Sequence, residues 1–198
     1  MLPGMNAADG PLSTAKIRPL RRVEYDRLVD LGVFDGEPIE LIQGRLVIVS
    51  PQGEPHAFCV TRLNKILVRA LGDAAEVRPQ QPLAASDVSE PEPDIAVVPA
   101  GDYLDAHPRT AHLVIEVSVS SLREDRQVKG PIYAAAGVTE YWIVDVGGQC
   151  IEVYSDPGTE GYAGVIRHGL HAVLTVPGFP DVTVRVRDVM PPSPAPTG

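Results

Sequence analysis

The sequence predicts an α/β (α+β) domain with a mixed central β-sheet flanked by helices and extended by further antiparallel strands. Two observations lead there. Helical apolar periodicity recurs in separate segments, and between these segments lie short β-branched runs of the kind found in buried central strands. The order is α, β-hairpin, α, β-β-β, α, β, then more β. This interleaving is that of an α/β or α+β domain with a mixed central sheet.

The first segment, Val23 to Leu31, places Val23, Leu28 and Leu31 on or near one side of a short helix. PIELIQGRLVIVS follows, with Gln-Gly between two apolar runs, a hairpin signal. From Pro55 to Leu71 the residues Phe58, Leu63, Ile66, Leu67 and Ala70 recur at helical spacing, and Gly72 supplies a stop. Three strands are expected at Glu76–Pro82, Asp94–Val98 and His112–Val117, the last two carrying IAVV and LVIEV. Arg123–Ala136 reads as a second long helix ending at Gly137. EYWIVDV, CIEVYS and further antiparallel segments continue to about Val186.

The 198 residues fit one domain with trimmings: residues 1–19 and 191–198 as loose tails rich in Pro, Gly and small residues, and 20–190 as the folded unit. No run of eighteen apolar residues exists, so no transmembrane helix is expected. The opening MLPGMNAADGPLSTAK lacks the basic and apolar regions of a secretory signal, and the expectation is a cytoplasmic protein without a membrane role. Cys59 and Cys150 fit neither a disulfide framework nor a zinc cluster and read as buried thiols. A net charge of −9 argues against a chain that coats nucleic acid by electrostatics alone, though a local basic face is compatible with a negative total. A Ser or Cys nucleophile is disfavoured, since no G-x-S-x-G elbow is present.

Several polar residues stand where a core should be. Asp94 opens an apolar strand and Glu116 lies inside the next. A carboxylate in a β-branched run is costly to bury unless it is paired or binds a cation. On adjacent strands the two can converge, and two carboxylates plus water suit Mg²⁺. The competing reading has Asp94 capping a turn and Glu116 paired with Lys129 or Arg126, and the residues alone leave both open. Glu40, in the run PIELI, either joins the same point or faces outward from its strand. His56, near a helix N-terminus, reads more readily as a capping or surface residue than as a ligand. Asp125 and Lys129 are four apart, which reads either as an i,i+4 ion pair or as a lysine reaching the acidic site. Tyr133 lies on the same helical side and either lines the site or packs.

These residues also carry a family resemblance. ELIQGRLVIVSP with His56 following, the pair Pro93-Asp94, IEVSVSS, D-x-x-x-K from Asp125 to Lys129, and Y-A-x-x-G-V-x-E-Y-W-I-V-D from Tyr133 to Asp145 together resemble the Uma-type restriction endonuclease family of the PD-(D/E)XK nuclease superfamily. The resemblance covers about Val23 to Tyr154. It implies a restriction-endonuclease-like core and a Mg²⁺- (or Mn²⁺-) dependent endonuclease acting on nucleic acid, DNA above all, as a homodimer. The hydrophobic C-terminal strands are the expected dimer interface. By the same resemblance Asp94 and Glu116 are the metal ligands, and Glu40 is a third acidic member. The lysine expected two residues after Glu116 is replaced by Ser118, and Lys129 is the candidate to return an amine to that place. The alternative is a nuclease-fold protein that has lost turnover and serves as a binding or scaffold module.

Overall fold

The computed structural model describes residues 17–192. Residues 1–16 and 193–198, the larger parts of the two expected tails, lie outside the described residues.

The centre is a six-stranded sheet in the order β3-β4-β5-β6-β7-β8. Its strands are β3 (Ala75–Pro79), β4 (Ile95–Pro99), β5 (Leu113–Ser118), β6 (Glu140–Asp145), β7 (Cys150–Gly158) and β8 (Gly161–Gly169). Only β5 and β6 pair in parallel; the other four pairings are antiparallel, which makes the sheet mixed as expected. A parallel pair needs a long crossover, and the helical segment 122–135 (α3) provides it.

Strand β5 shows how the two faces differ. Leu113, Ile115 and Val117 join the core under α2 (Glu54–Leu71), together with Cys59, Leu63 and Leu67 of that helix. The C-terminal hairpin of β9 (Val173–Val176) and β10 (Phe179–Arg185) adds Leu174, Val176, Val182 and Val184 to this core, and α4 (Val186–Val189) adds Val186 and Val189. The apolar residues expected to form a dimer interface are thus largely consumed inside the protomer. On the other face Val114 packs with Tyr133, Val138 and Tyr141. Glu116 and Ser118, of the same parity as Val114, are therefore carried to the α3 side.

The first hairpin, β1 (Ile39–Ile42) and β2 (Arg45–Ile48), is a separate two-stranded sheet. Its two-residue turn has positive φ at both Gln43 (49°) and Gly44 (75°), the conformation that matches hairpin twist. Gly44 is doubly constrained, because a Cβ there would run into Pro19. The loop between β3 and β4 holds the hairpin in place. Glu90 N donates to Leu41 O at 2.7 Å, and Gly44 N donates to Val88 O at 2.6 Å. Helix α1 (Arg22–Asp30) is tied in by Tyr25, whose hydroxyl donates to Ile39 O at 2.8 Å.

Two expectations need correction. The strand expected to reach Pro82 ends at Pro79, because Gln80 has a φ of 48° and turns its N–H toward the Pro93 and Asp94 carbonyls. The second long helix is not uniform. It begins as Leu122–Glu124, widens into a π-helical turn over Asp125–Lys129, and resumes as Gly130–Ala135. Pro131 supplies the reason: it has no N–H for the carbonyl four residues back and its ring crowds that carbonyl, so the helix relieves the conflict by widening just before it.

A candidate acidic active site with one buried lysine

Pro93-Asp94 sits where the β3–β4 loop enters β4, and β4 pairs antiparallel with β5 through Ile95 and Ile115. This places Asp94 beside Glu116 and Val117. Asp94 Oδ2 accepts from Val117 N at 2.7 Å and from His56 Nε2 at 2.9 Å. Glu116 Oε1 accepts from Lys129 Nζ at 3.0 Å and from the Tyr133 hydroxyl at 2.7 Å. Its other oxygen faces only the Asp94 amide at 3.5 Å, a weak contact. Each carboxylate is therefore anchored through one oxygen, and among the described residues the second has no strong donor.

Glu40, brought in by β1, is buried; its Oε1 accepts from Glu92 N at 3.2 Å and its Oε2 lies 3.6 Å from Lys129 Nζ. Lys129 thus bridges Glu116 and Glu40. It does not pair with Asp125, as the i,i+4 reading would have it; Asp125 instead accepts from the Ser121 hydroxyl at 2.7 Å. Ser118, on the same side of β5 as Glu116, has its hydroxyl 3.3 Å from that of Ser121, so it faces the start of α3. Lys129 stands at the end of the π turn of α3, from which its amine reaches both carboxylates. His56 is not a surface or capping residue: it is buried at the first turn of α2 and its ring is committed to Asp94.

Glu40, Asp94, Glu116, Ser121, Asp125 and Lys129 border one cleft of about 810 Å³, with His56, Ser118 and Tyr133 set behind its wall. Six carboxylates line it (Glu40, Glu92, Asp94, Glu116, Glu124 and Asp125) against a single cation, Lys129. The charge imbalance has consequences. Burial pushes the Glu116 pKa up, Lys129 pulls it back, and Asp94 raises it again. Burial likewise raises Glu40, against the pull of Lys129, and raises Glu92, with Glu40 adding to the shift. Asp125 is raised by burial despite its bond from Ser121. Burial works to lower the Lys129 pKa, but Glu116 and Glu40 outweigh it and the net shift is upward. Lys129 is a fixed ammonium in this setting, a donor and a charge rather than a proton acceptor.

Among the described residues no three His, Cys, Asp or Glu side chains form a ready cage for a metal ion. The donor set nevertheless fits Mg²⁺, which takes one or two carboxylates and completes its shell with water and phosphate oxygens. Asp94 and Glu116 each offer an uncommitted oxygen to the cleft, and a divalent cation would offset the excess negative charge. The residues that sequence reasoning passed over are Glu92, whose backbone orients Glu40, and Ser121, which holds Asp125. Glu92 stands between two prolines, immediately before the Pro93-Asp94 pair, and that fixed, extended context was the available signal. Neither thiol is a plausible nucleophile, since both are buried and burial raises the Cys59 pKa to about 11.

Comparison with known proteins agrees with this architecture. The sequence matches no curated protein. Among solved structures, the chain is similar to a "putative nuclease belonging to DUF820" from Anabaena variabilis, with a TM-score of 0.68 and 18% identity over 86% of this chain and 97% of that one. That likeness establishes a shared fold. A weaker match, with a TM-score of 0.38 and 20% identity, is to the type IIG restriction endonuclease BpuSI; it covers 63% of this chain and 13% of that much longer one. The family model Uma2, described as "Putative restriction endonuclease", matches residues 22–187, nearly the whole described chain. The chain belongs to the Uma2 family.

Proposed function

We propose that this protein is a Mg²⁺- or Mn²⁺-dependent endonuclease that hydrolyses phosphodiester bonds of DNA. The observation that carries the reading is the meeting of Glu40, Asp94, Glu116 and Lys129 at one cleft, with Lys129 Nζ 3.0 Å from Glu116 Oε1 and 3.6 Å from Glu40 Oε2. Asp94 and Glu116 would hold the metal, with His56, Val117, Lys129 and Tyr133 fixing the two carboxylates in place. The metal, when bound, polarises a phosphoryl oxygen and offsets negative charge developing in the transition state. Lys129 adds a fixed positive charge and a hydrogen-bond donor beside the scissile phosphate. Glu40 accepts a hydrogen bond from the attacking water and orients it. His56 and Tyr133 position Asp94 and Glu116, and Asp125 with Ser118 and Ser121 fixes the start of α3.

The nuclease domain is taken as residues 20–190, flanked by the tails 1–19 and 191–198. Cutting both strands of a duplex calls for two sites, hence a homodimer. Free Cys59 and Cys150 suit a reducing compartment, the cytoplasm. No helix among the described residues is long and apolar enough to cross a membrane.

The test is incubation of the purified chain with supercoiled plasmid and with short single-stranded DNA in Mg²⁺ or Mn²⁺. Nicked or shortened product is expected, and it should disappear with EDTA and in Asp94→Ala. No cleavage in either metal, or an Asp94→Ala variant that cuts as well as the parent, would overturn the proposal. One observation favours the second reading, a nuclease fold kept as a binding module: Ser118 stands at the lysine position, and Lys129 is already engaged by two carboxylates. Such a protein would bind Mn²⁺ poorly in calorimetry.

A further inference from the structure

The cleavage cleft alone is a poor place for a polyanion to dock, with six carboxylates against one lysine in a chain of net charge −9. A nucleic acid held there needs compensating positive charge elsewhere on the surface. Such a surface exists on the outer side of α2. From residue 55 to residue 71 this helix carries no carboxylate, although the chain has 26. Its three cations, Arg62, Lys65 and Arg69, recur at spacings of three and four and so form one stripe. Arg187 of α4 faces them across a groove of about 570 Å³, where Asp188 is the sole carboxylate. All four cations are exposed, and among the described residues none has a carboxylate partner within 4.0 Å.

The groove has more than charge. Phe58, Ile66 and Met190 line it, and the Arg62 guanidinium lies over the Phe58 ring, 5.3 Å from its centroid. That contact orients the guanidinium. Position favours the cleavage substrate as occupant. His56, bonded to Asp94, lies on the inner side of the same helix six residues before Arg62, so the stripe runs along the outer side of the helix that carries the site's histidine. The stripe from Arg62 to Arg69 is about 10 Å long, comparable to the rise of roughly three phosphates along one strand. The end segments are not rival occupants: residues 1–16 and 193–198 contain a single acidic side chain, Asp9.

We propose that the groove between α2 and α4 docks the phosphodiester backbone of the nucleic-acid substrate outside the cleavage cleft, with Arg62, Lys65, Arg69 and Arg187 as its phosphate contacts. The choice of nucleic acid over other polyanions rests on the nuclease reading above.

The experiment is fluorescence anisotropy of a labelled 30-base-pair duplex with the full chain in EDTA, so that binding is read without cleavage. The triple variant R62A/K65A/R69A is expected to bind at least about tenfold more weakly, with a salt dependence of log K shallower by about 2–3. Its melting temperature should match the parent's, because the side chains are exposed. Arg187→Glu supplies an independent loss from the other wall. Asp94→Asn, which removes one repelling carboxylate from the cleft, should bind at least as tightly as the parent while losing cleavage, which separates docking from cleavage. Absent binding by the parent, or equal affinity and salt slope in parent and triple variant, would overturn the proposal. So would displacement of the duplex at matched charge concentration by polyglutamate or phosphatidylserine vesicles, which would mark a surface for another partner. A parent that binds in the groove yet never cleaves would leave the docking surface standing and remove the nuclease reading. A parent that cleaves while the triple variant binds unchanged would do the reverse.

Discussion

Helix α3 sends two cations to the sheet, and their two ion pairs behave in opposite ways. Arg126, 41% exposed at its side chain, grips Glu152 of β7 with two nitrogens, and the Arg126 bonds lower the Glu152 pKa. Three residues later Lys129, 13% exposed, pairs with Glu116 of β5, yet burial leaves the Glu116 pKa raised. One cation satisfies one carboxylate at the first site. At the second, one cation serves Glu116 and Glu40 while Asp94 adds further charge. The comparison teaches that pairing alone does not mark a structural salt bridge. The ratio of acids to cations does better: one cation meets one carboxylate at the first site, and at the second the carboxylates around the cleft outnumber it.

The contrast is broken most sharply by neutralising each acid. Glu116→Gln should reduce plasmid cleavage by about a thousandfold, whereas Glu152→Gln should leave the rate within about twofold. Initial rates in Mg²⁺ at pH 8 measure both. Lys129→Met should follow, with a loss of about a hundredfold in kcat if the proposed roles hold, because the cleft's one cation is removed while Asp94 and Glu116 stay.

A third buried acid sharpens the comparison through pH. Glu90, 3.5 Å from Arg22, has its pKa pushed to about 7, by burial first and by Asp26 next. A carboxyl raised in the folded state binds more protons there than when unfolded. Stability from this group is therefore fully present below about 4.5 and is lost as the pH rises toward 7. Glu90→Gln should flatten that part of the pH–stability curve and stabilise the protein above pH 7 by up to about 3 kcal/mol, read by urea denaturation at pH 5 and pH 8. The smallest effect is at the satisfied pair. Glu152→Gln should cost about 1 kcal/mol at neutral pH, discounted for the exposure of Arg126, and calorimetric melting reads it.

The elements carried by periodicity were legible in the sequence: α2, the strands IAVV and LVIEV, and the Gln43–Gly44 turn each follow from local pattern. The π turn was not read, although Pro131 inside a helical pattern signals a break, because the apolar spacing on either side conceals it. In the site, Asp94 and Glu116 stood out as charges in apolar runs, which local pattern can detect. Lys129 was read from the residues both as a partner of Glu116 and as an i,i+4 partner of Asp125, and local spacing could not choose, because its reach to Glu40 and Glu116 depends on a crossover and a widened turn. For His56 the sequence favoured a surface or capping place over a role at the site, and the structure buries it against Asp94 instead. Its partner Asp94 lies 38 residues away, and no periodicity encodes a contact of that separation. The seating of Glu40 was equally hidden, since it depends on the β3–β4 loop clasping the hairpin through Leu41 and Gly44.

The central claim is that Asp94 and Glu116 hold a divalent cation between them. Isothermal titration of Mn²⁺ into the metal-free protein tests it most directly. The account predicts one saturable site in the parent that is lost in both Asp94→Asn and Glu116→Gln and kept in Glu152→Gln. A parent that takes up no Mn²⁺, or an Asp94→Asn variant that binds it as the parent does, would contradict it.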